Sequence, residues 1–108
     1  MTQDKTAFVE VFGDSPLIKV LDFLMTYREF DYSLSDISKE TSVGWNTLQT
    51  FFFGLVEKNI VKETRQIGRA KLYKLNEENP VTKKLIELNN AITSRAIDEE
   101  VQNQQIKI

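Results

Sequence analysis

The chain has 108 residues, of which 41% are hydrophobic and 28% charged, a composition typical of one globular domain with a modest core. It contains no cysteine and no histidine, which excludes disulfides, thiolate nucleophiles, histidine bases and the usual zinc ligands. The acidic residues are scattered along the chain, so we expect neither an enzyme nor a metal or cofactor site. No apolar run approaches the roughly 20 residues of a membrane span, and the default expectation is a cytoplasmic protein whose function is recognition.

The charge is unevenly distributed. The whole chain has a net charge of −2 and an isoelectric point near 5.2. The stretch from Lys62 to Lys74 has five basic residues against one acidic residue, a net charge of +4, so the rest of the chain carries −6. An acidic total argues mildly against nonspecific nucleic-acid binding, but a concentrated basic segment favours contact with a polyanion.

Two helices are predicted before residue 30. Ala7–Phe12 is short and apolar, and we favour a helical turn there over a strand. Ser15 is a good N-cap and Pro16 suits a first helical position, so a helix is predicted from Pro16 to about Tyr27. Its apolar residues recur at helical spacing: Leu17, Val20, Leu21, Leu24 and Met25. Residues 28–32 are predicted to form a loop.

A second pair of helices follows. Ser33 and Asp36 have the spacing of a capping box, which predicts a short helix over 34–40. Residues 41–44 form a tight connection to a longer helix over 45–58. The buried stripe of that helix is predicted to comprise Leu48, Phe51, Phe52, Leu55 and Val56, with Phe53 turned outward.

A hairpin is predicted after the long helix. Asn59 tolerates the left-handed conformation that ends helices. Two strands are predicted over 60–64 and 71–75, separated by a tip over 65–70 that contains Gly68.

The last predicted helix opens at Pro80 and extends towards Val101. Its apolar seam is formed by Val81, Leu85, Leu88 and Ile92. The seam packs either on the first long helix or against a second copy of the chain. We favour a homodimer with Leu85, Leu88 and Ile92 in its interface, and we divide the chain into a domain over 1–79 and a terminal dimerisation element over 80–108.

Two segments carry a resemblance to a known family: LSDISKETSVGWNTL over residues 34–48 and LVEKNIVK over 55–62. With the Gly-centred basic hairpin that follows, the chain resembles winged helix-turn-helix transcriptional regulators, particularly the small archaeal and prokaryotic type. The resemblance covers about 13–79 and implies an α+β, mostly helical fold with a two-stranded wing.

This resemblance also implies that the chain binds double-stranded DNA. In such proteins the start of the recognition helix enters the major groove and the wing touches phosphates or the minor groove. The matching positions here are Gly44, Trp45, Asn46, Thr47, Gln49 and Thr50 on the helix, and Arg65, Arg69 and Lys71 on the wing. Unlike many relatives, this helix start carries no Arg or Lys, which favours adenine readout by Asn and Gln and makes affinity depend on the wing.

Three alternatives stay open. Trp45 either stacks on DNA or packs on the body of the domain. The basic hairpin either contacts DNA or is a solvated edge that deters strand pairing. The whole domain either regulates transcription as a DNA-binding homodimer or is a winged-helix module for protein contacts without DNA binding, since fold alone does not fix function. No motif identifies an effector.

Overall fold

The computed structural model describes residues 5–106, with side chains as far as residue 103. The elements of this described part are α1 (Ala7–Phe12), α2 (Pro16–Thr26), β1 (Tyr32–Ser33), α3 (Leu34–Thr41), α4 (Trp45–Glu57), β2 (Val61–Ile67), β3 (Ala70–Leu75) and α5 (Pro80–Ile106). The fold is α+β and mostly helical, as predicted, and the first segment is a helix.

Local capping explains where the helices begin and end. The Ser15 hydroxyl accepts a hydrogen bond from the Ile18 amide at 3.4 Å, with Pro16 in the first turn of α2. At α3 the capping box is complete: the Asp36 amide donates to Ser33 Oγ at 3.1 Å and the Ser33 amide donates to Asp36 Oδ2 at 3.2 Å. After α4, Asn59 is left-handed with φ 61°. All three signals were predicted and are confirmed.

The core lies where α2, α3 and α4 meet the sheet. Ile37, Leu48 and Phe52 are fully buried, and they pack with α2 residues and with one face of β2 and β3. The Tyr73 ring meets the Phe52 ring edge-on, with centroids 5.1 Å apart. The rest of the predicted α4 stripe is half-buried against this core, and Phe53 points outward with 49% of its surface exposed.

The sheet has three strands rather than the two predicted, in the order β1-β3-β2. Tyr32 pairs with Tyr73 and Ser33 with Leu72 in an antiparallel register. Residue 32 was predicted to belong to a loop. A strand of two residues is too short to show an alternating pattern, and its pairing depends on a strand some forty residues away along the chain.

The hairpin is longer than predicted. Its strands continue to Ile67 and Ala70, so only Gly68 and Arg69 form the turn, and the predicted tip over 65–70 is wrong. Gly68 has φ +60°. A two-residue hairpin turn whose first residue is glycine requires this positive φ. Every residue of β2 after Val61 is exposed. The sequence there has no alternation of apolar and polar residues from which a strand could be predicted.

The face of α5 that packs on the core includes only part of the predicted seam. Thr82 is fully buried and its hydroxyl donates to the Ile60 carbonyl at 3.3 Å. The apolar residues of α5 that pack on the core are Leu85, Ile86 and Ile92. Val81 and Leu88 are 59% and 44% exposed, so the four seam residues do not share one buried face. Thr82 can occupy an inward position because its hydroxyl is hydrogen-bonded to a carbonyl. A search for apolar residues alone overlooks such a position.

The second half of α5 projects from the domain. The helix has 27 residues, about 40 Å at 1.5 Å per residue. Every residue from 93 to 103 is exposed, including Ile97 at 58% and Val101 at 46%. The projection makes the molecule elongated, with extents of 57 × 34 × 22 Å.

Candidate nucleic-acid interface

The turn between α3 and α4 is held by side chains of α3. The Thr41 hydroxyl donates to the Ile37 carbonyl at 2.6 Å and accepts from the Val43 amide at 3.3 Å. The Ser38 hydroxyl donates to the Val43 carbonyl at 2.6 Å. Ser42 takes the left-handed conformation with φ 59°, which ends α3 and reverses the chain. These bonds fix the position at which α4 begins.

The first turn of α4 is open at its amino end. Gly44 is the N-cap residue, in an extended conformation, and provides no side-chain hydrogen bond to the helix. The leading amides of an uncapped helix retain their hydrogen-bonding capacity, and the helix dipole is positive there. This end therefore suits an anionic partner such as a phosphate.

The predicted base-reading residues form an exposed polar surface on α4: Asn46, Thr47, Gln49 and Thr50. The Thr50 hydroxyl donates to the Thr47 carbonyl at 2.6 Å. Within the described residues, the amides of Asn46 and Gln49 make no side-chain hydrogen bond, so their donors and acceptors are available to a partner. Trp45 is 46% exposed, so its ring is neither buried in the core nor fully solvated.

The wing places its basic residues at different distances from its tip. Arg69 lies in the turn and makes no ion pair with any residue in 5–106. Lys71 is the second residue of β3, two residues after Arg69, and lies 4.0 Å from a Glu63 carboxylate oxygen. Lys62 and Lys74 are direct cross-strand partners in the register. Like charges opposite each other repel, and this arrangement leaves both ammonium groups without a neutralising neighbour across the strands.

Arg65 is held by an acidic residue that the sequence analysis did not single out. Its Nε and Nη2 donate to the two carboxylate oxygens of Asp31 at 2.9 and 3.1 Å. The Thr64 hydroxyl donates to the same carboxylate, and Thr64 is the extra residue of a bulge in β2. The bonds from Arg65 and Thr64 lower the pKa of Asp31 from 3.8 to about 2.

The charge of the candidate interface is therefore concentrated on the wing. The only charged residue of α4 is Glu57, at its far end, and α3 has two acidic residues and one basic residue. Asp31 neutralises Arg65 in the middle of the hairpin, and Glu63 lies 4.0 Å from Lys71. Among the described residues, the wing cations without an acidic partner are therefore Arg69 at the turn and the Lys62–Lys74 pair near the base.

The predicted dimer residues occupy different environments. Leu85 and Ile92 are half-buried against the core of their own chain. Leu88 is 44% exposed, at the solvent edge of the same side of α5. Their role in a dimer stays a prediction.

The described part of the chain contains no group of three or more acidic side chains placed to hold a metal ion. None of the helices between residues 5 and 106 combines the length and the hydropathy that crossing a membrane requires.

The fold has a counterpart among solved structures. The chain is similar to ZitR of Lactococcus lactis, solved as a double-substituted variant in its apo form, with a TM-score of 0.60 over 89% of this chain and 74% of that one. The sequences are 18% identical, so the likeness bears on the fold alone. No protein-family profile matches the sequence, and no curated protein matches it significantly. The helix-turn-helix, the hairpin and the terminal helix together are a winged helix fold.

Proposed function

We propose that this chain is a sequence-specific regulator of transcription that binds double-stranded DNA as a homodimer. The observation that carries the proposal is the uncapped amino end of α4, whose exposed first two turns present the amides of Asn46 and Gln49. These residues are three positions apart and so lie on neighbouring parts of one helix face. An exposed helix start of this kind fits the major groove of DNA.

Base recognition rests on these two amides. Asparagine and glutamine can each form two hydrogen bonds with adenine, and a threonine methyl group can pack on the thymine methyl. Thr50 has its hydroxyl turned to the helix backbone, so its methyl group is the part it offers to a base. We therefore propose a binding site rich in A·T pairs.

Phosphate contacts come from the wing in this proposal. Arg69 and Lys71 lie at or beside the turn, where a hairpin reaches furthest from the domain. Arg65 was predicted to contact DNA as well, but Asp31 engages the Nε–Nη2 edge of its guanidinium group. We propose that Arg65 anchors the middle of the wing while Arg69 and Lys71 neutralise phosphates.

The second copy is proposed to cover the projecting half of α5. Ile97 and Val101 are four residues apart and lie on the same face of the helix. An isolated helical extension of this length is marginally stable in water, and a partner that buries this face stabilises it. Leu88 lies nine residues before Ile97, two and a half turns away and on the opposite side, so one partner helix does not cover both.

An alternative function is favoured by two exposed aromatic residues. Trp45 and Phe53 are 46% and 49% exposed on α4, which has no basic residue. Large exposed rings on a helix without positive charge suit a protein partner better than a phosphate backbone. In this alternative the winged helix is a protein-interaction module, and duplex DNA is not its ligand.

Selection from a random duplex library at moderate salt tests the proposal, followed by affinity measurements on the selected and a scrambled duplex. Asn46→Ala and Gln49→Ala are expected to weaken binding to the selected duplex by about 1–3 kcal/mol each, because each removes a base contact. Their effect on the scrambled duplex is expected to be small.

Asn90→Ala is the matched control, since Asn90 is an exposed amide on α5, away from the candidate interface. Failure to enrich any sequence argues against specific recognition. Equal losses on both duplexes assign Asn46 and Gln49 to the positioning of the DNA backbone instead.

A further inference from the structure

A groove on the outer face of α2 is not used by the proposed function. It has a volume of about 730 Å³ and lies between the amino-terminal end of α1 and the carboxy-terminal end of α3. Its floor is one face of α2, formed by residues at helical spacing: Lys19, Asp22, Phe23, Thr26 and Tyr27. Clefts of this size commonly hold small organic ligands.

One end of the groove is aromatic. The Phe23 ring lies 5.3 Å from the Tyr27 ring and 4.8 Å from the Tyr32 ring, measured between centroids. The Tyr32 hydroxyl donates to the Tyr27 carbonyl at 3.4 Å, which ties β1 to the end of α2. Tyr27 is 52% exposed, so part of this cluster is accessible from the groove. The faces of such rings carry negative potential and attract cations.

The groove also contains a partly buried carboxylate. Asp22 precedes Phe23 on α2, is half-buried, and accepts a hydrogen bond from the Thr6 hydroxyl at 2.7 Å. Burial raises the pKa of Asp22, partly offset by the bond from Thr6. A partly desolvated carboxylate gains more from a bound cation than one in free solvent does.

The charges around the groove also favour a cation. Lys5 and Asp14 form an exposed ion pair at 3.8 Å and together add no net charge. Lys19, Asp22 and Glu40 remain, with a net charge of −1. An anionic ligand would meet two carboxylates and one ammonium group, whereas a cation would meet the same groups with a net attraction and the aromatic faces in addition.

We propose that this groove binds a small organic cation with an apolar or aromatic body, its positive group between Asp22 and the Tyr27 ring and its body on Phe23 and Tyr32. The proposal is independent of the proposed DNA binding. Its wall includes Thr41, whose hydroxyl holds the turn before α4, so an occupied groove lies directly against the helix-turn-helix.

The test uses the ¹⁵N-labelled full-length chain without DNA, titrated with benzyltrimethylammonium and followed by amide chemical shifts. Shifts are expected along residues 19–27 and at Tyr32, with benzenesulfonate, an aromatic anion, giving none there. Asp22→Asn retains an oxygen for Thr6 but removes the charge, and it is expected to weaken binding about fivefold. Tyr27→Ala is expected to weaken binding similarly through loss of the ring.

Asp98→Asn is the control, because it removes the same charge from the projecting part of α5. The proposal is overturned if no amide in the groove responds at tens of millimolar, if benzenesulfonate gives the same shifts, or if the Asp98 variant loses as much affinity as the Asp22 variant. If Asp22→Asn does not fold, Tyr27→Ala and Glu40→Gln replace it, because both side chains are exposed. Both variants must then weaken ligand binding for the proposal to stand.

Discussion

At the scale of residues, Asp31 joins parts of the chain that are far apart in sequence. It lies in the loop between α2 and β1, and its carboxylate accepts hydrogen bonds from Arg65 and Thr64 of the wing. Thr64 also donates to the Leu72 carbonyl across the bulge, at 3.3 Å. One carboxylate therefore holds the middle of the hairpin against the loop that leads into the helix-turn-helix.

The first prediction concerns acid stability. The folded-state pKa of Asp31, about 2, lies below its ordinary value of 3.8. The ionised carboxylate thus stabilises the fold fully above pH 4, and this contribution is lost as the pH falls from about 4 towards 2. In chemical denaturation, Asp31→Asn is expected to be less stable than the native chain at pH 6, with the difference shrinking towards pH 2. A difference that is constant over this range contradicts the assignment, and Asp98→Asn provides the comparison.

The role of Arg65 was not predictable from sequence, whereas the exposed face of α4 was. Asp31 and Arg65 are 34 positions apart, and no periodic pattern connects a loop residue to a strand residue at that distance. Asn46 and Gln49, by contrast, lie on the side of α4 opposite the apolar residues that enter the core, so helical periodicity alone predicts that they are exposed.

At the scale of elements, local chemistry determined what could be predicted. The starts of α2 and α3 depend on serine caps within three residues of the amide they bind, so the sequence contains the whole signal. The strand β1 and the outer half of the hairpin depend instead on pairing with β3. Their residues are mostly polar, so a search for apolar alternation detects neither.

The second prediction tests the capping box of α3. Ser33→Ala removes the oxygen that accepts the Asp36 amide, and the free energy of unfolding is expected to fall by about 1 kcal/mol. Ser35→Ala is the matched control, since Ser35 is exposed two residues later and makes no side-chain hydrogen bond with the described residues. Equal effects of the two substitutions in urea denaturation contradict a specific role for the cap.

At the scale of the whole molecule, α5 has two distinct parts. Its first turns complete the core through Thr82, Leu85 and Ile86. Its later turns extend beyond the body of the domain, with Ile97 and Val101 in solvent. The sequence predicted a long terminal helix correctly, and Leu85 and Ile92 of the predicted seam do face inward. The rest of the inward face was missed because it includes the polar residue Thr82.

The third prediction concerns assembly. Burial of Ile97 and Val101 against a second copy is worth roughly 1.5–3 kcal/mol per side chain, so Ile97→Asp with Val101→Asp is expected to give a folded monomer in sedimentation velocity. Gln102→Asp with Asn103→Asp adds the same charge on the other side of the helix and is expected to remain dimeric. If the native chain is monomeric at tens of micromolar, the dimer proposal fails. If Leu88→Asp alone separates the subunits, the interface lies on the opposite face.

The most direct test of DNA binding is the salt dependence of affinity for the selected duplex. We expect affinity to fall steeply with salt, and Arg69→Ala with Lys71→Ala to reduce the slope by about 1 for each phosphate contact removed. Lys83→Ala with Lys84→Ala removes the same charge from exposed positions on α5 and is expected to leave the slope unchanged. Absence of duplex binding at low salt, or the same slope for the wing variant as for the native chain, would contradict the account.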